Sequence, residues 1–372
     1  MRVGCPREIK PQEFRVGMTP ATVHELVAHG HEVMIETGAG EGAGFPDEAY
    51  RAQGARIAAS AEELFDWAEM IVKVKEPQAE ERRRLRKGQV LFAYLHLAPD
   101  PEQTRDLLES GVTAIAYETV EDERGGLPLL APMSEVAGRL APQAGAWALQ
   151  RANGGRGVLL GGVPGVPPAD VVVIGGGHVG TNAARVAAGM GARVVVLDRS
   201  IPRLRQLDEL FDGRLETRYA SREATAAAVE NADLVIGAVL VPGAAAPKLV
   251  RREQLARMRP GAVVVDVAID QGGCFETSRP TTHADPIYEV DGIVHYCVAN
   301  MPGAVPRTST IALTNATMPY VIALADKGWR QALRDDPGLL AGLNVHAGLL
   351  TCAPVGEAQG IETIPPAEAL ER

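Results

Sequence analysis

The segment Gly175-Gly176-Gly177-His178-Val179-Gly180 forms the pattern G-x-G-x-x-G. An apolar run at 171–174 leads into it, a helical pattern from about 181 to 190 follows, and Asp198 closes the next apolar run. A strand, a glycine loop and a helix in that order cradle the pyrophosphate of a dinucleotide. Gly175 permits the tight turn, Gly177 lets the backbone approach the phosphates at the helix N-terminus, and Gly180 lets helix and strand pack closely. Asp198 is placed to accept the hydroxyls of the adenosine ribose and to repel a phosphate there, which selects NAD over NADP; the neighbouring Arg199 argues the other way. His178 reads as a bystander at the phosphate end of the cofactor.

Hydride chemistry also needs groups that hold an anion and move protons. In open α/β sheets ligands lie beyond the carboxyl ends of strands, so titratable residues at strand ends are the candidates. Lys75 ends the run 70–74, His96 follows 90–94, and Asp270 follows 262–267. Arg15 comes after the first strand. Singly, each has a plainer account: a solvated strand end before Pro77, a loop histidine before Pro99, a turn former before Gly272-Gly273, a surface arginine. Together, two cations, an imidazole and a carboxylate are the groups needed to oxidise a small anionic substrate.

The elements that must position these residues alternate between short β-branched runs and helical stretches, as in parallel sheets with helical crossovers. The alternation occurs twice. Residues 32–36, 70–74, 90–94 and 112–116 read as strands of a first layer, with a helix at 101–110 among the crossovers. A helix over 133–150 follows, with Ser134 as its N-cap and Glu135 in its first turn. A Gly- and Pro-rich loop or ribbon at 154–168 comes next. Near-continuous apolar runs at 171–174, 193–197, 234–239 and 262–267 then predict strands covered on both faces. After the break at 302–306, a long helix runs from 309 to about 325, with no further strand signal. The prediction is an α/β protein of two Rossmann-like domains with parallel sheets. A cofactor domain at 131–305 is inserted into a discontinuous substrate domain, 1–130 plus 306–372.

Composition removes several other classes. A formal charge of −10 over 372 residues disfavours a partner held through nucleic-acid phosphates. The basic run Arg82-Arg83-Arg84-Leu85-Arg86-Lys87 is expected to be a solvated helix face. No stretch reads as a secretion signal or a membrane span, and Cys5, Cys274, Cys297 and Cys352 read as reduced thiols, so a cytoplasmic location is expected. No cluster has metal-ligand spacing, and no metal is expected.

Longer blocks carry a family resemblance. Arg7-Glu8-Ile9-Lys10 through Glu13-Phe14-Arg15-Val16 to Thr19-Pro20 resembles the opening of the alanine dehydrogenases. Met133-Ser134-Glu135-Val136-Ala137-Gly138-Arg139, then 265–274 from Val265 to Cys274, and 296–303 from Tyr296 to Gly303 resemble further blocks of that family, in order along nearly the whole chain. The NAD-binding subunit of proton-translocating transhydrogenase shares the fold and several blocks, but it has no need to keep Arg15, Lys75, His96 and Asp270 together.

The resemblance implies NAD-dependent, reversible oxidative deamination of L-alanine to pyruvate and ammonia, in a homo-hexamer. It assigns Arg15 and Lys75 to the substrate, His96 to acid/base work and Asp270 to a second proton-handling role, completed when the domains close. For NAD it implies Ser134, His178, Val179, Asp198, Arg203, Val239, Leu240, Ala268, Ile269, Asp270, Arg279, Val298, Ala299, Asn300 and Met301. Ala220 stands where the family has a serine, and Arg203 where lysine is more usual. Both bear on cofactor affinity. Tyr94 and Met133 are expected as walls of the substrate pocket, and 350–360 is less typical of the family. The alternatives are a transhydrogenase subunit, a regulatory protein that binds NAD without catalysis, and a dehydrogenase for another small amino acid.

Overall fold

The computed structural model of the chain describes residues 1–239 and 246–372. It divides into two compact units, Met1–Met133 with Val305–Arg372, and Ser134–Ala304. Each is built on its own sheet.

In the first unit β1 (Arg2–Cys5), β2 (Glu32–Glu36), β3 (Arg56–Ala58), β4 (Met70–Val72), β5 (Val90–Ala93) and β6 (Thr113–Ala116) are parallel. In the second, β7 (Asp170–Ile174), β8 (Arg193–Asp198), β9 (Glu216–Tyr219), β10 (Leu234–Gly237) and β11 (Val263–Asp266) are parallel, while β12 (Ile287–Val290) and β13 (Ile293–Tyr296) form an antiparallel hairpin at one edge. The chain then returns to the first unit through the helix Pro306–Lys327 and adds β14 (Leu343–His346) and β15 (Leu349–Leu350). The strand orders are β15-β14-β6-β5-β4-β1-β2-β3 and β12-β13-β11-β10-β7-β8-β9.

The apolar runs become central strands because both faces are covered. In the second unit Val171 and Val173 face a core shared with Ala183, Ala187 and Leu207, whereas Val172 and Ile174 face another with Val235, Val264 and Phe275. Local chemistry sets several helix ends. Pro101–Ser110 begins where Asp100 accepts a hydrogen bond from Gln103 N, and it stops at Gly111 with φ 66°.

Several expectations change. Strands β14 and β15 occupy a region read as lacking strands. The Leu-Asn-Val-His sequence of β14 hides a strand because its polar residues are buried and paired: Asn344 Nδ2 donates to Thr119 Oγ1 at 2.8 Å, and His346 Nδ1 lies 2.9 Å from Thr113 Oγ1. The less typical stretch 350–360 packs Leu350 and Val355 into the core with Leu97 and Leu107. Strands β3, β9, β12 and β13 also escaped the reading.

The helix expected from 133 spans Ala131–Ala148, so Ser134 lies inside its first turns and is not its N-cap. Pro132 explains the shift, since a proline without N–H fits a first helical turn. The glycine-loop helix likewise starts at His178, capped by the extended Gly177. The basic run is a solvated face only in part: Arg83, Arg86 and Lys87 are exposed, but most of it lies beyond the helix and Arg82 is not solvated. Its helix covers only Ala79–Arg82, Arg82 is buried against Asp106 and Glu102, and Arg86 donates to the carbonyls of Phe65, Asp66 and Ala68. Among the described residues no helix is long and apolar enough to cross a membrane.

Candidate active site

Sheet order gathers the first group of candidate residues. Strands β1, β4, β5 and β6 are neighbours, and being parallel they end on the same side of the sheet. The loop after β1 carries Arg15, the extension of β4 carries Lys75, and that of β5 carries His96. The ladder continues past the strand ends, with Tyr94 N donating to Val74 O at 3.1 Å. Lys75 and His96 therefore project from adjacent backbones.

His96 adopts φ +49°, in the left-handed region where a side chain is normally disfavoured. Glu118, just past β6, holds it there. Its carboxylate accepts from His96 N at 2.6 Å and from Leu95 N at 3.1 Å, and the imidazole Nδ1 lies 3.9 Å away. The Tyr94 ring stacks on the imidazole, 5.7 Å between centroids and nearly parallel, and its hydroxyl donates to Leu129 O. A solvent-reachable imidazole fixed from two sides can exchange protons with a ligand in one orientation.

Arg15 is almost fully buried, so the surface account of it is excluded. Its Nε and Nη2 both bond to Glu13 at 2.6 Å, and Nη1 lies 3.1 Å from Met133 Sδ. Burial opposes its charge, and Glu13 more than offsets this, so the guanidinium stays protonated. The fork expected to receive a carboxylate is thus turned onto Glu13. Tyr94 and Met133, expected as pocket walls, contact His96 and Arg15 respectively.

The second unit is arranged around the glycine loop after β7. Strand β7 lies between β8 and β10, where the sheet order reverses, the usual place for a ligand crevice. Gly175 has φ +99°, and a Cβ there would meet Ala238 O at 2.8 Å. At Gly180 a Cβ would fall 1.7 Å from Gly175 O. Both glycines are required by the protein itself. Gly177 is different: a Cβ on it would meet nothing within 4 Å, so the fold gives no reason for glycine, whereas an approaching phosphate does.

Asp198, ending β8, accepts from Gly176 N at 2.7 Å and from Ser200 N at 2.8 Å. Arg203 donates to Gly176 O at 2.7 Å and to Thr181 Oγ1 at 2.6 Å, bracing the loop from outside. His178 and Val179 open the helix, His178 exposed and Val179 buried. Ser134 is half-buried and Ala220 lies just past β9. Val239 follows β10, and Leu240 lies outside the described residues.

At the end of β11 the buried Asp266 accepts from Ala268 N, Cys274 N and Ser278 Oγ, and burial raises its pKa. These bonds pin both ends of the 3-10 turn Val267–Gln271. Ala268 and Ile269 are buried within it, and Asp270 is exposed, accepting from Asn300 N at 3.4 Å. Val298, Ala299, Asn300 and Met301 follow β13, with Asn300 at φ +59°. Arg279 stacks over Tyr288, 4.0 Å from the ring centre. Among the described residues no group of three or more His, Cys, Asp or Glu could hold a metal.

Glu118, Glu13, Asp266 and Tyr288 escaped the sequence reading. Glu118 was within reach of the rule that found His96, since it follows a predicted strand by two residues.

Residues 4–137 match the family model for the alanine dehydrogenase/PNT N-terminal domain, and residues 141–353 the model for the C-terminal domain. The chain belongs to the alanine dehydrogenase/PNT family. A relative from Halomonas elongata called alanine dehydrogenase is 62% identical, with 98% of each chain covered. A solved L-alanine dehydrogenase superposes with TM-score 0.94 at 54% identity, over 96% of this chain and 99% of that one. A transhydrogenase from Sinorhizobium meliloti superposes with TM-score 0.81 at 26% identity, over 94% and 98%. Within the alanine dehydrogenase/PNT family the chain therefore has about twice the sequence identity to the dehydrogenase structure, 54% against 26%, and the higher TM-score with it. The two-domain α/β fold with Rossmann-like sheets is that of the family.

Proposed function

We propose that the chain is an NAD-dependent L-alanine dehydrogenase, interconverting L-alanine and pyruvate plus ammonia. The observation that carries this reading is the delivery of Arg15, Lys75 and His96 to one side of one sheet by neighbouring parallel strands. Similarity to named alanine dehydrogenases at more than half of all positions supports it.

The residues present fit a dinucleotide. Gly177 leaves open space before a helix N-terminus, and Asp198 puts a negative charge where a ribose phosphate would sit, favouring NAD. When bound, the nicotinamide accepts or returns the hydride at the substrate's α-carbon. Ser134, Val179, Val239, Leu240, Arg279 and 298–301 are the further residues we assign to it.

The chain's own groups do the rest. Lys75 neutralises the substrate carboxylate and polarises the oxo group of pyruvate, and Arg15 joins it on the carboxylate when its fork exchanges Glu13 for the substrate. His96 takes a proton as water adds to the imine and returns it as ammonia departs. Asp270 keeps the second proton-handling role that the family resemblance assigns to it. All four cysteines are free thiols, which supports a reducing, cytoplasmic setting. A homo-hexamer follows from the family reading and is tested by the mass of the purified protein in solution.

The deciding experiment is reduction of NAD by purified protein with L-alanine, beside glycine, L-serine and no substrate. Alanine-dependent turnover that vanishes in His96→Ala is expected. Tight NAD binding without turnover on any of them would overturn the reading in favour of a transhydrogenase-type or regulatory role.

A further inference from the structure

A buried ionic cluster lies directly behind Lys75 and has no part in the chemistry above. Glu8, from the loop after β1, accepts through Oε1 from Val74 N at 2.7 Å and from Lys75 N at 3.3 Å. Through Oε2 it accepts from Lys73 Nζ at 2.8 Å. That same ammonium donates to Lys75 O at 3.2 Å and lies 3.3 Å from Glu81 Oε1. Lys73 is fully buried, and Glu8 and Glu81 are nearly so. One ion pair thus grips both the N–H and the C=O of Lys75.

Such a cluster is expensive, because each buried charge forfeits its hydration, and apolar side chains of similar volume commonly serve stability as well or better. Burial opposes the charge on Lys73, yet the two carboxylates keep it protonated. Strand β4 itself is apolar and needs no charge to pack. The backbone ahead of Lys75 is confined from the other side too: a Cβ on Gly17 would meet Val72 O at 2.7 Å and Lys73 Cα at 2.8 Å.

We infer that the Glu8–Lys73 pair is a positioning device for Lys75, fixing its peptide so that the ammonium meets the substrate carboxylate in one place. This rests on the reading of Lys75 as a substrate group. Glu8 and Lys73 act through Lys75 and touch no substrate. Their loss affects the oxo acid and not the dinucleotide.

The test is a double-mutant cycle on pyruvate reduction with Glu8→Gln, Lys75→Ala and both together, alongside NADH titration by fluorescence. Glu8→Gln is expected to raise the pyruvate KM about tenfold or more while leaving the NADH Kd unchanged. The double variant should be no worse than Lys75→Ala alone, since the device has nothing left to position. A parental pyruvate KM in Glu8→Gln, or losses that multiply in the double variant, would overturn the positioning role while leaving a defective Lys75→Ala as support for the substrate reading. Parental kinetics in Lys75→Ala would overturn both. If Glu8→Gln does not fold, Lys73→Gln with Glu81→Gln removes the ammonium and one carboxylate together, keeps Glu8, and enters the same cycle with the same expectations.

Discussion

Glu118 accepts a 2.6 Å hydrogen bond from the backbone N–H of His96, and this bond holds the imidazole's own residue at φ +49°. The orientation of the imidazole to which we assign proton transfer is therefore set by a carboxylate in the turn just past β6. Glu118→Ala is expected to lower turnover on the order of tenfold to a hundredfold. Because Leu95 N and His96 N lose their acceptor, stability should fall by about 1–3 kcal/mol. NADH affinity, read by fluorescence titration, should not move; turnover equal to the parent would refute the role.

Gly177 and Gly180 separate ligand from packing. Gly177→Ala meets no protein atom, so urea denaturation should show a change below about 0.5 kcal/mol. Its NADH Kd should rise about tenfold or more, because the methyl group occupies the phosphate's approach. Gly180→Ala drives a methyl against Gly175 O and should cost about 1–3 kcal/mol or more. Tight NADH binding by Gly177→Ala would remove the argument for a pyrophosphate there.

Asp198 ties Gly176 to Ser200 and is the residue we assign to the adenosine ribose. Asp198→Ala should weaken NADH about tenfold, while turnover at saturating cofactor stays within about threefold of the parent. Paired titrations with NADH and NADPH check the selectivity: a variant that still discriminates as strongly as the parent would show that the carboxylate is not the selector.

The buried Arg82 gives unit one a dependence on acid. Its hydrogen bond holds the Asp106 carboxyl below the ordinary 3.8. A depressed folded-state pKa stabilises the fold above the unfolded value, and that contribution is lost as pH falls through the folded one. Asp106→Asn should therefore cost about 0.5–1 kcal/mol at neutral pH, with the difference from the parent shrinking below pH 3.8. Denaturant unfolding at neutral and acid pH checks this, and a gap that widens in acid would contradict it.

How much of this was legible in the sequence depended on the kind of signal. The glycine loop and the central strands were readable because hydrophobic runs and turn residues are local. Lys75, His96 and Asp270 were singled out because strand ends are where parallel sheets present side chains. Glu118 also stands at a strand end and could have been singled out by the same rule; Glu8 could not, because its bonds go to backbone groups at the end of a neighbouring strand, and pairing order is not written in any one segment. Strand β14 was missed for the opposite reason. Its Asn344 and His346 look solvent-facing, and only partners on β6 and just beyond it make them interior residues.

The antiparallel seam between β14 and β6 also orders events during synthesis. The edge of β6 stays open from the time residue 116 leaves the ribosome until residue 343 follows, and the whole of the second unit emerges in between. That unit can close on its own contiguous chain, while the first waits as an unfinished sheet with a bare edge. A ribosome stalled anywhere before β14 would leave a nascent chain able to collect dinucleotide but with its other sheet still lacking that seam, and such chains are where chaperone capture or edge-to-edge aggregation should concentrate.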